Sequence, residues 1–313
     1  MNDALIAFAQ PVFLALIAPG LVGYVRWIKA RLQNRRGAGM LQPYRDLRKT
    51  LAKQMVVAHS ASWVFHLAPF VVAASVVTAA GLVPVVSAVH PADQIGDLFV
   101  LTALLMLSTV ALALGGLDTG TAFGGMGSSR EMTVAALTEP TLAVAVLSVA
   151  LAAGSTSLGA ITGAVLASPG SALGPGHVLA FAAFFIAMLA EAGRLPVDNP
   201  ATHLELTMIH EAMLLEYSGP YLAVLEWAAA LKLTLLFTLA ANLFLPWGIA
   251  RSPDALALAT GLITVIVKLT ALATLLAVLE TRIAKLRLFR VPELLALSFA
   301  LALLAAASSF FTR

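Results

Sequence analysis

The sequence predicts an all-α polytopic membrane protein with about eight transmembrane helices and one amphipathic helix on the cytoplasmic side. Of 313 residues, 60% are hydrophobic and only 11% are charged, whereas soluble domains are about half apolar and a quarter charged. The apolar residues lie in long runs, which must be helical in lipid because each backbone polar group needs a partner within its own element. The basic residues concentrate in alternate loops, which is typical of a multi-pass protein.

The predicted spans are the stretches with about 20 mostly apolar residues, the length that crosses a bilayer. The fifth is short, and the sixth and seventh contain charged residues. No basic residue precedes the first stretch and many follow it, so we predict a retained helix rather than a cleaved signal. We therefore treat residues 1–313 as a single integral membrane domain. The eight stretches are about 4–26, 63–87, 97–117, 132–153, 177–191, 221–245, 255–281 and 292–311.

The orientation follows from the distribution of the 19 Lys and Arg residues. Most of them fall in the loops on one side of the predicted spans, and positive loops favour the cytoplasm. Both termini are then expected outside. The predicted cytoplasmic loops are about 27–62, 118–131, 192–220 and 282–291.

The first of these loops contains a basic amphipathic helix. Tyr44, Leu47, Leu51, Met55 and Ala58 recur at helical spacing after Pro43, and basic residues fill the other face. Such a helix lies at the membrane interface. It serves as an anchor to lipid headgroups, as a docking surface for a soluble partner, or as the rim of a cavity entrance. The docking candidates are Arg45, Asp46, Arg48 and Lys49, with Arg130 in the second cytoplasmic loop.

A glycine-rich segment occupies 115–127. A phosphate-binding loop would end in Gly-Lys-Ser/Thr or follow a strand, and neither feature is present. We therefore predict a flexible cytoplasmic turn. The spacing of Ser128 and Glu131 is that of a capping box, which predicts that the next helix begins there.

Ionisable side chains concentrate in the third cytoplasmic loop, and a few lie inside predicted spans. A charge at the centre of a membrane helix costs about 2.5–3.5 kcal/mol on insertion scales, so each needs an explanation. They form a hydrated proton relay if they face one another, or else they are paired or neutralised structural charges. The relay candidates are Glu191, Arg194, Asp198, Glu205, Glu211 and Glu216 in the loop, and Glu139, Lys232 and Lys268 in the membrane.

Several kinds of site are disfavoured. The chain has no Cys, so it has no thiolate zinc site and no cysteine-ligated iron–sulfur cluster. His203 and His210 are seven residues apart, whereas helical metal ligands need closer spacing and a third ligand. No nucleophile–base pair stands out. We expect no catalytic residue, no metal and no redox centre in this chain, and no nucleic-acid partner.

Three motifs resemble those of the respiratory complex I subunit 1 family. The pattern Glu191-x-x-Arg194-x-Pro196-x-Asp198-x-Pro200, followed by Glu205 and Glu216-Tyr217-Ser218, is similar to a cytoplasmic loop of that family. Residues 39–49 are similar to its loop after the first helix, and residues 287–290 to its last cytoplasmic turn. The family also has eight core spans, so the resemblance covers nearly the whole chain.

The stretch 197–211 resembles more specifically the branch found in formate hydrogenlyase and hydrogenase-4 type complexes. Ala201 and His203 stand where quinone-site members have acidic residues. This resemblance implies a non-catalytic anchor and coupling subunit of an energy-converting nickel–iron hydrogenase complex in a bacterial cytoplasmic (inner) membrane. The implied partners are hydrogenase large and small subunits, an iron–sulfur protein subunit and an antiporter-like membrane subunit, besides membrane lipids. Those partners would carry the iron–sulfur clusters and the nickel–iron site.

Two alternatives remain at this point. One is the quinone-site subunit of a complex I-like NADH:quinone oxidoreductase, with quinone as the ligand. The other is a stand-alone ion transporter that uses Glu139, Lys232 and Lys268. The sequence contains no detectable internal repeat, which weighs against the transporter because many transporters consist of repeated halves.

Overall fold

The computed structural model describes residues 3–87, 96–167, 174–199, 208–252 and 254–311. Within these ranges the chain is helical, with two isolated β-bridges between loop residues. The α-helices are α1 (Asp3–Leu32), α2 (Gln42–Leu51), α3 (Trp63–Leu82), α4 (Leu98–Asp118), α5 (Ala122–Ala153), α6 (Leu158–Ala167), α7 (Pro175–Glu191), α8 (His210–Leu214), α9 (Gly219–Leu239), α10 (Ala255–Arg282) and α11 (Val291–Phe311). A π-helical turn, Ala240–Phe244, extends α9, and a 3-10 turn, Leu288–Arg290, precedes α11.

The all-α, multi-pass architecture is confirmed. Seven of the described helices are long and apolar enough to cross a membrane, and each coincides with a predicted span. The remaining predicted span corresponds to α7, which has 17 residues. This helix packs between α5 and α11.

Two ends of the bundle can be distinguished by charge. We call the end that carries the described segments 33–62, 119–121, 192–199, 208–218 and 283–290 the basic end, and this is the end predicted to face the cytoplasm. The opposite end carries the short helix α6 and the turn between α9 and α10.

The predicted turn in the glycine-rich segment is present but covers only 119–121, with Gly120 at φ +69°, and the predicted helix start at Ser128 is wrong. Helix α5 begins at Ala122, capped by the Thr121 side chain, and Ser128 instead donates a hydrogen bond to the Ala113 carbonyl at 2.8 Å. The glycines serve close packing of helices. A Cβ on Gly124 would lie 2.2 Å from the Gly116 carbonyl oxygen, and one on Gly127 would lie 2.7 Å from the Ala212 Cβ. Small residues of this kind let membrane helices approach closely.

The amphipathic helix is present as α2, but it ends at Leu51. Met55 and Ala58, which were assigned to its apolar face, lie beyond it in the loop. Tyr44 fixes α2 to the first helix, because its hydroxyl donates to the Leu16 carbonyl at 2.5 Å. Gly20 leaves room for that ring. Helix α2 also packs against the start of α9, so it borders the basic end of the bundle.

Candidate functional site

The site is built around the end of α7. Gly193 has φ +58°, which glycine adopts without strain. The Gly193 N–H donates to the Ala190 carbonyl at 3.0 Å and the Arg194 N–H to the Leu189 carbonyl at 2.8 Å. These two bonds form the Schellman motif that ends many helices. The reversal leaves Glu191 pointing into the bundle and sends Arg194 towards α10.

Glu191 forms a buried ion pair with a lysine from the middle of α9. Its Oε1 atom lies 2.5 Å from Lys232 Nζ, and only 3% and 12% of the two side chains are exposed. Lys232 also donates to the Thr109 hydroxyl at 3.0 Å, and that hydroxyl lies 3.4 Å from Glu191 Oε1. The pair therefore joins α4, α7 and α9. This accounts for Lys232 inside the membrane, because a paired charge is far less costly there than an isolated one.

A small cavity adjoins this ion pair. Its volume is about 40 Å³, and Glu131, His210, Thr109, Glu191 and Lys232 contribute to its wall. The polar groups in its otherwise apolar wall and the small volume suit a few water molecules, whereas organic ligands occupy roughly 300–1,000 Å³. Water in this cavity would hydrogen-bond to titratable groups of α5, α7, α8 and α9. The arrangement can hold and exchange protons.

His210 enters this cavity as a neutral base. Burial is the main cause that lowers the pKa of its imidazole to about 4, and the nearby Lys232 ammonium lowers it further. Asp198 acts in the opposite direction. At neutral pH the ring therefore has one free nitrogen that can accept a hydrogen bond.

Arg194 joins a second buried cluster, which the sequence did not reveal. Its Nη1 atom lies 3.6 Å from Glu280 Oε1, and Lys29 Nζ lies 2.7 Å from Glu280 Oε2. The Glu280 side chain is fully buried. Burial lowers the pKa of Arg194, and Glu280 opposes that shift. The three charges connect α1, α10 and the loop after α7. In the sequence, Glu280 looks like an ordinary charge at the end of an apolar helix, so nothing marked it as a site residue.

Asp198 closes the same loop. Its Oδ1 atom accepts from Lys285 Nζ at 2.6 Å and from the Asn199 N–H at 2.8 Å. Its Oδ2 atom accepts from the His210 N–H at 3.1 Å. A carboxylate at the N-terminus of a helix also satisfies free backbone donors, here those of α8. Asp198 thus holds both ends of 199–210 and the turn after α10 together.

The other loop candidates are placed less centrally. Glu211 follows His210 in α8, where its charge acts on Arg194. Glu216 is partly buried in the turn before α9. Glu205 and His203 lie outside the described residues. The structure therefore brings Glu191, Arg194 and Asp198 into ion pairs and leaves Glu205 without a described position.

The two remaining membrane candidates differ. Glu139 lies near Glu191 and Lys232, whose charges act on it. Its Oε1 atom is buried and has no hydrogen-bond partner among the described residues. Lys268, in contrast, does not join the cluster. Its Nζ atom lies 3.4 Å from the Ala241 carbonyl oxygen, in the π-helical turn.

Tyr217 and Ser218, from the motif Glu216-Tyr217-Ser218, have a structural role. The Tyr217 ring stacks on Phe65 with 4.1 Å between centroids, and its hydroxyl donates to the Phe65 carbonyl at 3.2 Å. The Ser218 hydroxyl accepts from the Val56 N–H at 2.9 Å and donates to the Val56 carbonyl at 2.8 Å. Burial raises the pKa of Tyr217, so the phenol stays neutral. These contacts tie the start of α9 to α3 through Phe65 and to the loop after α2 through Val56.

The residues predicted for docking lie at the basic end. Arg45, Arg48 and Lys49 line the exposed side of α2, while the Asp46 Oδ1 atom accepts from Gln42 at 2.8 Å. Arg130 is turned inwards and donates to the Met208 carbonyl at 2.9 Å. Arg130 therefore stabilises the start of α8. Over the ranges that the structure describes, no three His, Asp or Glu side chains converge as a metal site would require.

The chain is similar to known proteins over almost its whole length. The family model for NADH dehydrogenase matches residues 4–310. Formate hydrogenlyase subunit 4 of Escherichia coli strain K12 is 38% identical over 296 residues, which are 95% of each chain. Hydrogenase-4 component C of the same strain is 37% identical over 299 residues, covering 96% of this chain and 93% of the relative. The fold also matches a chain in the structure of the membrane-bound sulfane sulfur reductase, an archaeal respiratory membrane complex, with a TM-score of 0.81. That chain is 19% identical, and the match covers 99% of this chain and 100% of the other.

Proposed function

Since this chain belongs to the NADH dehydrogenase family of membrane proteins, we propose that it is the anchor and coupling subunit of an energy-converting nickel–iron hydrogenase complex of the formate hydrogenlyase type. The relatives named for formate hydrogenlyase and hydrogenase-4 match over almost their whole length. The chain has no Cys. Electron transfer then belongs to partner subunits, and the task of this chain is to hold them at the membrane and to respond to their charge.

One observation carries the coupling role: two charged residues of the Glu191-x-x-Arg194 motif tie its loop to the membrane helices through buried ion pairs. Arg194 pairs with Glu280 inside the basic end. Glu191, three residues earlier, pairs with Lys232 at membrane depth. A force or a charge applied to the loop therefore acts on two buried pairs at once.

The coupling step that we propose is electrostatic. When an iron–sulfur cluster of a partner near the loop changes its charge, the protonation equilibrium of Glu191 shifts. Glu191 is either ionised and paired with Lys232 or protonated. Glu131 and neutral His210 share the same cavity and can take or give that proton. Glu139 lies on the same helix as Glu131, α5. On this proposal it would pass the proton deeper into the membrane. One charge moved through 100 mV requires about 2.3 kcal/mol, which a redox step can supply.

The partners expected on this proposal are hydrogenase large and small subunits, an iron–sulfur protein subunit and an antiporter-like membrane subunit. The nickel–iron site and the iron–sulfur clusters would lie in those chains. The exposed basic side of α2 and the loop 192–218 are the docking surfaces that this proposal assigns to the soluble partners. Glu205 and the rest of 200–207 lie within that loop and are included in the proposal on the sequence alone.

Purification from the native membrane in a mild detergent tests the assignment. We expect the tagged chain to co-purify with iron–sulfur subunits and to contain nickel. Iron–sulfur subunits with bound quinone and no nickel would instead support a quinone-site subunit. A chain that is recovered alone, without metal or quinone, and that moves ions in liposomes would support a stand-alone transporter.

The coupling role needs a separate test in inverted membrane vesicles. Hydrogen evolution and acidification of the vesicle interior are measured together for the wild type and for the double variant Glu191→Gln with Lys232→Met, which removes the pair without leaving one buried charge unpaired. We expect hydrogen evolution to continue while acidification per hydrogen falls several-fold. An unchanged ratio of protons to hydrogen would remove Glu191 from the coupling path and leave the anchor role in place.

A further inference from the structure

Lys268 lies at the centre of α10, far from water at either end. Thirteen residues separate it from Ala255 and fourteen from Arg282, which places it about 20 Å from each end of the helix at 1.5 Å per residue. A lysine near a helix end can extend its ammonium to the interface, but this distance is too long for its side chain. The ammonium must therefore be accommodated within the membrane.

The described part of the chain gives Lys268 no counter-charge. Among the described residues its ammonium has one hydrogen bond, to the Ala241 carbonyl at 3.4 Å, and it takes part in none of the ion pairs. Lys232, in the neighbouring helix, differs sharply because it is 2.5 Å from a carboxylate. A lone charge at this depth costs about 2.5–3.5 kcal/mol or more, and one weak bond to a carbonyl does not offset that cost.

Lys268 belongs to a stripe of α10 that is half-buried at Thr264 and Lys268 and exposed further along. Thr264, Lys268, Ala271 and Leu275 follow one another at spacings of four, three and four residues, which is the spacing of a seam between two helices. Ala271 and Leu275 are exposed, and Leu275 has 42% of its surface free. The opposite side of α10 packs on α1 and α9. The exposed positions Ala271 and Leu275 can thus contact another helix beside Lys268. The small Ala271 side chain allows that helix to come close.

We propose that this stripe is the contact surface for a membrane-spanning helix of a partner subunit that carries a carboxylate opposite Lys268. The proposal rests on the proposed function, because it requires that the chain works inside a larger membrane complex. Charge complementarity selects this occupant. Hydrocarbon tails offer no anion at this depth, and the headgroups lie about 20 Å away. A second copy of this chain docked through the same stripe would bring two Lys268 ammonium groups together, since a two-fold contact pairs each surface with itself.

Photo-crosslinking in the intact complex tests the proposal. A benzophenone amino acid is placed at Ala271 in the stripe and, as a matched control, at Ile266, which is 43% exposed at similar depth on the other flank of α10. We expect Ala271 to give an adduct with a membrane subunit whose linked helix contains Asp or Glu, and Ile266 to give at least tenfold less of it. Adducts with lipid alone, with this chain itself or with a helix that lacks a carboxylate would overturn the proposal.

Charge reversal supplies the second measurement. Lys268→Glu should reduce recovery of the cross-linked membrane subunit about tenfold, while Lys268→Arg should retain it. Replacement of the partner's carboxylate by Lys should then restore recovery with Lys268→Glu. Failure of that exchange, with normal recovery of hydrogenase subunits, would refute the contact and leave the proposed function intact. Absence of hydrogenase subunits from the wild-type preparation would instead refute the proposed function.

Discussion

Replacement of Lys232 by Met should destabilise the protein strongly, although it removes a charge from the membrane. Met preserves most of the length of the side chain, but it leaves Glu191 buried without the ammonium that lies 2.5 Å away. The Thr109 hydroxyl, 3.4 Å from the carboxylate, cannot replace that ammonium. Removal of one partner from a buried pair costs about 3–5 kcal/mol, and we expect a loss in that range.

The size of the effect depends on whether one partner of the ion pair or both partners are removed. At 2.5 Å and an effective dielectric constant of about 20, the attraction is about 6–7 kcal/mol. Taking each ion out of water costs several kcal/mol, so the pair as a whole contributes little net stability. The double variant Lys232→Met with Glu191→Gln therefore removes the attraction and both desolvation costs together. We expect it to lie within about 1 kcal/mol of the wild type.

Heat denaturation of the purified complex in mild detergent measures this difference. For a chain of this size, 1 kcal/mol shifts the melting temperature by roughly 2 °C, so Lys232→Met should melt about 5–10 °C lower. The double variant should recover most of that shift. Leu231→Met, a nearly volume-conserving change at a fully buried neighbour, is the control and should cost less than about 1.5 kcal/mol.

A double variant as unstable as Lys232→Met would show that the loss comes from packing around residue 232 and not from an unpaired charge. A Lys232→Met variant that melts like the wild type would also contradict the prediction. In that case Glu191 is satisfied by other groups, and the ion pair does not organise the junction of α4, α7 and α9.

Three further outcomes are expected. Glu139→Gln should leave assembly intact and reduce proton movement per hydrogen in inverted vesicles, and a mutant that pumps like the wild type would make Glu139 structural. Arg194→Met should reduce turnover of the whole complex at least tenfold with little change in membrane insertion. The reason is that the buried Glu280 would keep only Lys29 as a counter-charge. Normal turnover would exclude the loop from the mechanism. His210 has a pKa of about 4 in the folded protein against 6.5 ordinarily, so the unfolded chain binds the extra proton between these values and stability falls as the pH drops from 6.5 to 4. His210→Gln should flatten that part of the melting curve against pH, and an unchanged slope would show that His210 is not the group responsible.

The membrane helices were predictable because lipid imposes a simple condition on composition. A run of about 20 apolar residues has one stable form in a bilayer, so the spans could be recognised without knowing their neighbours. The short α7 was also predicted, although its 17 residues are few for a crossing. The helical part of the glycine-rich segment was not predicted because glycine weakens isolated helices, whereas in this bundle the absence of Cβ atoms lets α4, α5 and α8 approach closely.

The members of the site were predictable, but their partners were not. Ionisable residues in an apolar chain are conspicuous, which identified Glu191, Arg194 and Lys232. Their pairing depends on how distant helices pack. The sequence left open whether Lys232 faces Glu139 and Lys268, and in the structure its ion pair is with Glu191. Glu280 and Thr109 were not predicted as members of the site. In the sequence, Glu280 has the position of an interfacial charge, and Thr109 is a single hydroxyl residue within an apolar span.

The position of the helix end between Glu191 and Arg194 links the two buried clusters mechanically. Glu191 belongs to the last turn of α7, and Arg194 follows the Schellman motif at Gly193. Because that motif is closed by two backbone hydrogen bonds, the two residues move together when the loop moves. A shift that separates Arg194 from Glu280, already at 3.6 Å, must therefore strain the Glu191–Lys232 contact at 2.5 Å. A partner bound to the loop can in this way act on a charge at membrane depth without contacting it.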